Sequence, residues 1–455
     1  MTKPNNTHRD SVALTQELET YLQAYLSTNY FMGSVLVSRG KEVLLSKGYS
    51  MANLEHSIPN TPQTKFRLGS ITKQFTAAAI LKLQEQQLLN VNNSLATYLP
   101  EYPQGEQITI HQLLNHTAGI PNYTSFEDFK SQKRTAITLD ELIAWFSNRP
   151  LDFTPGDRFN YSNSGYVVLT KVIETVSNIS YADYLQINIF EPLGMTNSGY
   201  DSHESILPNR AAGYIFTGEE YQNADFIDMS LPAGAGALYS TVEDLNKWSR
   251  SFNANAILSQ ASLDAMFAQT IKVPSDDENE AIYYGYGWII DTLYNRHRVS
   301  HNGGIDGFVT HFARYPHEQI TIIVLSNLMT SSISKIEQDL TAIIFGEPYE
   351  FPKQRETIKI DPAIYKNYVG QYKFESSSSL PPEVQDFVLT VTTDSQRIYT
   401  QLTGQDIVEI FPESLTKFFL KVVDAQLTFI TDDKEQVSQL ILHQNGRDTV
   451  LNKID

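Results

Sequence analysis

The chain has 455 residues, of which 41% are hydrophobic and 19% charged, and it contains no cysteine. That length predicts about two to four domains, with cores large enough to need no staples. The missing cysteine excludes disulfides, thiolate metal sites and a cysteine nucleophile. With 52 acidic residues against 34 basic ones, and a formal net charge of −18, the chain is a poor match to nucleic acid or an anionic membrane.

The start, MTKPNNTHRDSVALTQELET, has neither an apolar h-region nor a small-residue cleavage site. No stretch approaches the run of about 18 apolar residues that a membrane span requires. The expectation is a cytoplasmic chain without a membrane span if Met1 is the native start, and a periplasmic one if a leader has been removed.

A leading helix is expected at 12–28, VALTQELETYLQAYLST. Two apolar runs around Ser38-Arg39-Gly40-Lys41 then predict a hairpin. Next comes RLGSITKQF at 67–75, followed by TAAAILKLQEQQLL, which reads as the body of a buried amphipathic helix. From about 109 to 190 the period is mostly helical, interrupted by Pro155-Gly156 and by EPLG at 191–194. A second set of strands is expected at YYGYGWII, RHRVSHNGG, GFVTHFARYP and QITIIVLSN, closed by the helix SSISKIEQDLTAIIFG. Strands at both ends with helices between them imply an α/β layer whose sheet is completed by distant segments.

The stretch 347–365 holds three prolines among mixed charges and reads as a linker. Beyond it, seven short alternating strands (YVGQYKF, FVLTVTTD, RIYTQLT, IVEIFPE, KFFLKV, AQLTFITD, VSQLILHQ) predict a small antiparallel barrel. SSSSLPPE within that region reads as an exposed loop. The expected division is a first domain over 1–345, a linker over 346–360 and the barrel over 361–455.

Three short motifs could carry chemistry. The first is Ser70-x-x-Lys73, whose side chains share a helix face at spacing i, i+3. Its plain reading is a helix cap beside a solvated charge. Its chemical reading is a serine nucleophile activated by a lysine whose pKa is lowered by desolvation. The second is NYSNSG at 160–165, ahead of YVVLTKVIETV. It is either an ordinary helix start, or it sets the Tyr161 phenol beside Ser70 and the Asn163 amide on a substrate. A tyrosine, with an ordinary pKa of about 10, acts as a base only where cations stabilise its phenolate. The third is HNGG at 301–304. It is either a flexible loop, or a place where glycines let backbone approach substrate, with the Gly304 amide as an oxyanion donor and His301 on the same edge.

Taken together, these motifs resemble the serine β-lactamases of class C and the related DD-peptidases, a group that also holds D-aminopeptidases and esterases. The family order is S-x-x-K, Y-x-N, then K-T-G or H-x-G; here it is met by SITK from Ser70, YSN from Tyr161 and HNG from His301. LLNHTAGIP, FEPLGM and AGAGALYSTVEDLNKW add context, and the resemblance spans about residues 15 to 345. It implies a β-lactamase-like fold: an antiparallel sheet flanked by helices, with a helical subdomain. It implies Ser70 as the acylated nucleophile, and Lys73 and Tyr161 as proton carriers. Asn163, His301 and Gly303 would contact substrate, and the Ser70 and Gly304 amides would form the oxyanion hole. The β-rich tail resembles the lipocalin-like domain attached to some members.

His301 stands where relatives carry the lysine of K-T-G. A histidine, with an ordinary pKa of about 6.5, is mostly neutral at pH 7, so weak recognition of β-lactams and of C-terminal D-Ala-D-Ala is expected. Esters, amides or short peptides, including those with an N-terminal D-residue, are the expected substrates. The competing expectation is a binding or assembly protein that keeps the fold without turnover. No cofactor or metal is expected: there is no H-E-x-x-H, P-loop, dinucleotide fingerprint or G-x-S-x-G elbow. His116 is expected to hold a turn. The tail could narrow the cleft or mediate homo-oligomerisation.

Overall fold

The computed structural model describes residues 10–275, 281–374, 387–431, 436–444 and 447–454. The SSSSLPPE segment expected as a loop lies outside the described residues. Its centre is an eight-stranded antiparallel sheet. The order runs Ile271–Lys272, Tyr283–Tyr284, Ile289–Leu293, Arg296–Ile305, Phe308–Tyr315, Ile320–Ser326, Gly33–Arg39, Glu42–Tyr49. The hairpin near the start of the chain thus joins the last strand of the distant set, with Val35 opposite Val324.

Burial on both faces explains why ITIIVLS reads as an unbroken apolar run. Ile320, Ile322 and Val324 pack against the helices Ser11–Tyr25 and Ile333–Phe345. Ile323 and Leu325, pointing the other way, join the larger core of the helical lobe. Tyr21 ties the two terminal helices by donating to Asp339 at 2.6 Å.

The Thr72–Glu85 helix is buried, as its sequence suggests: every residue from Thr72 to Leu81 lies inside the protein. Ala233–Gly236 and the Asn163–Ser177 helix pack against it, so it is a central helix rather than a surface one. Its beginning also settles the capping question. Ile71 occupies the cap position with no side-chain bond, and Ser70 lies in the preceding 3-10 turn, Gly69–Ile71.

Residues 347–361 carry neither helix nor strand. Beyond them a closed antiparallel barrel contains eight strands, one more than the alternation suggested. Arg447–Lys453 completes it by pairing with both Val437–Gln444 and Gly370–Phe374. RDTVLNK is too polar to announce itself as a strand; its two neighbours make it one. The interior is filled by rings, with Tyr368 at 4.5 Å from Phe429 and 5.2 Å from Phe418. The barrel touches the first domain where Tyr30 donates to the Leu420 carbonyl at 3.4 Å. Among the described residues no helix is long and apolar enough to cross a membrane.

Candidate active site

Gly69, at φ +54, bends the chain so that Ser70 enters the 3-10 turn with its hydroxyl uncommitted to capping. A Cβ at Gly69 would lie 2.7 Å from the Gly304 nitrogen, so this turn sits directly on the HNGG strand. One turn on, Lys73 is fully buried and its Nζ lies 3.0 Å from Ser70 Oγ, 2.8 Å from Asn163 Oδ1 and 2.9 Å from the Ala235 carbonyl. The amine also stands 4.8 Å from the centroid of the Tyr161 ring. Burial pushes the Lys73 pKa well below the ordinary lysine range, with no carboxylate opposing it.

Asn163 begins its helix with its backbone N–H donating to Asn122 Oδ1 at 3.1 Å. Its amide nitrogen donates to Thr124 Oγ1 at 3.2 Å, which leaves a second N–H for a substrate. Tyr161 is within hydrogen-bonding reach of Ser70, yet burial raises its pKa above the ordinary phenol range despite that contact. Burial thus works against the phenolate considered from sequence. His116 does hold the turn: its carbonyl accepts from Asn160 at 2.9 Å and its Nδ1 from the Ser162 N–H at 3.2 Å. Its ring also backs Tyr161 at 4.2 Å between centroids, which fixes the phenol's orientation.

HNGG is strand, not loop. His301 to Ile305 pair with Phe308 to Phe312 on one side. On the other, the neighbouring strand pairs only from Leu293 opposite Arg296 to Ile289 opposite Ser300, so 301–305 run past its end as an edge. The two glycines differ. A Cβ at Gly303 would fall 1.9 Å from the Leu68 carbonyl and 2.3 Å from Thr310 Oγ1, so this glycine serves the approach of protein backbone. At Gly304 a Cβ would meet nothing within 4 Å, as expected of a wall of an open cleft.

His301 is buried with both ring nitrogens engaged. Nδ1 lies 2.5 Å from the Asn302 carbonyl, which can only accept, so Nδ1 carries the proton and Nε2 accepts from Tyr284 at 2.9 Å. Burial, helped by Lys73, lowers its pKa to about 3. It brings no positive charge to the cleft, and its nitrogens are committed to the protein.

The arrangement unites Ser70, Lys73, Tyr161, Asn163, His301 and Gly304. Sequence reasoning missed Ala235, Tyr284, Asn122 and Thr124. The AGAGALYS stretch was the one available signal for the first of these, since its small residues let the Ala235 carbonyl approach Lys73. Among the described residues no group of three or more His, Cys, Asp or Glu could hold a metal ion.

The Beta-lactamase family model matches residues 21–342, and a Domain of unknown function (DUF3471) matches 354–453. Penicillin-binding protein 4* of Bacillus subtilis is 31% identical over 454 residues, covering 95% of this chain and 97% of that protein. The octameric penicillin-binding protein homologue from Pyrococcus abyssi is 26% identical, with a TM-score of 0.65 over 96% of this chain and 99% of that one. D-amino acid amidase from Ochrobactrum anthropi, at 22% identity, shares the fold with a TM-score of 0.66 over 73% of this chain and 98% of its own. The chain belongs to the β-lactamase family of penicillin-binding protein homologues, with a closed eight-stranded barrel following the family domain.

Proposed function

We propose that the chain is a serine hydrolase working through an acyl-enzyme on Ser70. It cleaves esters or amides of small molecules or short peptides, including those with D-residues, rather than turning over β-lactams efficiently. One observation carries this reading. Lys73 has three polar partners, of which two, the Ala235 carbonyl and Asn163 Oδ1, can only accept, while the third is the Ser70 hydroxyl. A neutral amine has two N–H groups and one lone pair, so the set suits it, with Ser70 donating to the lone pair. Burial without a counter-ion favours that same neutral form.

In the forward step the Ser70 proton passes to Lys73 Nζ as Oγ attacks the carbonyl carbon. The Ser70 and Gly304 N–H groups face the developing oxyanion. Collapse breaks the bond to the leaving group, which takes a proton relayed from Lys73 through Tyr161. Water then attacks the acyl-enzyme, losing its proton to the same relay, and Ser70 is regenerated. The neutral His301 gives a substrate carboxylate no ionic partner, hence the preference for uncharged esters and amides. The amidase named above supports this substrate class by fold alone. Self-association belongs to the same reading, since the Pyrococcus abyssi homologue is octameric.

Intact-mass spectrometry after incubation with a fluorophosphonate tests the reading. Wild type gains one adduct and Ser70→Ala gains none. If neither is labelled, the catalytic reading falls and a binding role takes its place. Turnover of penicillin as fast as of p-nitrophenyl esters would overturn the substrate preference.

A further inference from the structure

The cleft has a wall that leaves the helical lobe beside Asn163 and ends on the central sheet. It begins at Asn122 and Thr124, which hold the Asn163 backbone and amide. Tyr123 anchors it further, donating its hydroxyl to the Leu231 carbonyl at 2.8 Å and its N–H to Ser164 Oγ at 3.0 Å. Eleven positions beyond Asn122 comes Lys133, only 8% exposed. Its Nζ reaches Asp306 at 2.7 Å and Asp225 at 3.0 Å. Its carbonyl accepts from the Asp228 N–H at 2.8 Å, and Ile137 N–H donates to Ser230 Oγ at 3.0 Å, so the 225–230 loop is bound into the same strap. Arg134 adds a second pair to Asp225.

Asp306 lies two residues past Gly304, at the turn that follows the 301–305 edge. The Lys133 side chain is largely buried while its two carboxylates are part-exposed, and by bridging them it ties the strap to the sheet; removing it leaves the two acids facing each other. Substrate backbone laid along the 301–305 edge with its reacting carbonyl at Gly304 advances about 3.3 Å per residue. It therefore meets the Lys133–Asp306 tie after about two residues, or roughly 7 Å.

We infer that Lys133, by pinning residues 122–137 to Asp306, closes one end of the cleft and limits the substrate segment at that end to about two residues. The enzyme then acts at chain termini or on small esters and amides, not within long peptides. This inference rests on the hydrolase reading for its assay, and Lys133 is a specificity-determining residue without contact to the reacting atoms.

The test uses the full chain and two series of fluorophosphonates, extended by one to four alanines on either side of phosphorus. In wild type one series should lose at least about tenfold in labelling rate between two and three residues, and the other should not. In Lys133→Met the loss should shrink to within about threefold, with the one-residue probe labelling at the wild-type rate. Asp306→Asn, which leaves Lys133 paired with Asp225, is measured alongside to guard against a fold defect in Lys133→Met. Equal labelling along both series in wild type, or a loss that persists in either folded variant, overturns the tie as the limit. No labelling even by the shortest probe overturns the hydrolase reading, and this inference with it.

Discussion

Two cations within one domain, Lys73 fully buried and Arg298 mostly so, have opposite surroundings. Arg298 pairs with Asp291 at 2.6 Å and with Glu337 at 2.9 Å, on the face of its strand that meets the Ile333–Phe345 helix. Burial works against its charge, but the two carboxylates more than offset this, and its pKa rises well above the usual arginine value. Lys73 has only neutral partners, and its pKa falls. A histidine accompanies each cation. His311 shares Glu337 with Arg298, and His301 stands near Lys73; burial is the leading cause of both lowered pKa values, to about 4 and about 3. A fold that can neutralise a buried cation with two acids, and does so on one face of a strand, leaves the other without a counter-ion. Burial alone therefore does not mark a functional group, and burial without a counter-ion does not by itself mark one either. Arg314 is buried with Ser249 and Asn253 as its hydrogen-bond partners, and its pKa falls to about 9. What sets Lys73 apart is that its uncompensated amine stands 3.0 Å from the Ser70 hydroxyl.

The contrast can be broken most forcefully at Lys73. Lys73→Met should lower kcat/KM by on the order of 10³-fold by removing the general base. Its melting temperature should change little, because no ion pair is lost. Arg298→Met should do the reverse: a loss of about 3–5 kcal/mol from the stranded Asp291 and Glu337, with activity per folded molecule kept. Equal destabilisation by both, measured by urea unfolding, would erase the distinction.

The glycine pair sharpens it on a smaller scale. Gly303→Ala forces a methyl onto the Leu68 carbonyl and should cost about 1–3 kcal/mol of stability. Gly304→Ala meets nothing in the protein, so its melting curve should match wild type while kcat/KM falls by about tenfold as the methyl enters the cleft. The smallest effect is on the pH dependence of stability. His301 and His311 have folded pKa values depressed below the ordinary histidine range. Between about pH 4 and the unfolded value of about 6.5, the unfolded chain thus binds more protons, and stability should rise with pH. A melting temperature that is flat or falls across this window would show that these rings are not held neutral.

Much of the site was legible because its reactive side chains stand in three short motifs, each fixed to a helix start or a strand. What escaped notice has a common cause. The Ala235 carbonyl is a backbone acceptor with no side chain to announce it. Tyr284 is one of 25 tyrosines, and only the fold places its hydroxyl against His301. The distinct duties of Gly303 and Gly304 depend on what lies across the strand, which adjacency in sequence does not reveal. In the fold, period-two and apolar-run signals located the sheet. The eighth barrel strand, Arg447–Lys453, draws its conformation from neighbours on both sides rather than from its own residues. Lys73, Gln74 and Thr76 count as polar in the sequence, and only the fold shows how each is buried in hydrogen bonds: Lys73 with Ser70, Asn163 and the Ala235 carbonyl, Gln74 accepting from Trp248, and Thr76 donating to the Gly234 carbonyl.

The expectation on which most depends is that Lys73, buried beside Ser70 with no counter-ion, gives up its proton well before the exposed lysines. Its most direct test is an NMR titration of the lysine side chains, with the Lys73 signal assigned by its loss in Lys73→Met. The account predicts that Lys73 titrates well below the exposed lysines and is unprotonated while they are still charged. A Lys73 that titrates together with the exposed lysines, or above them, would contradict it.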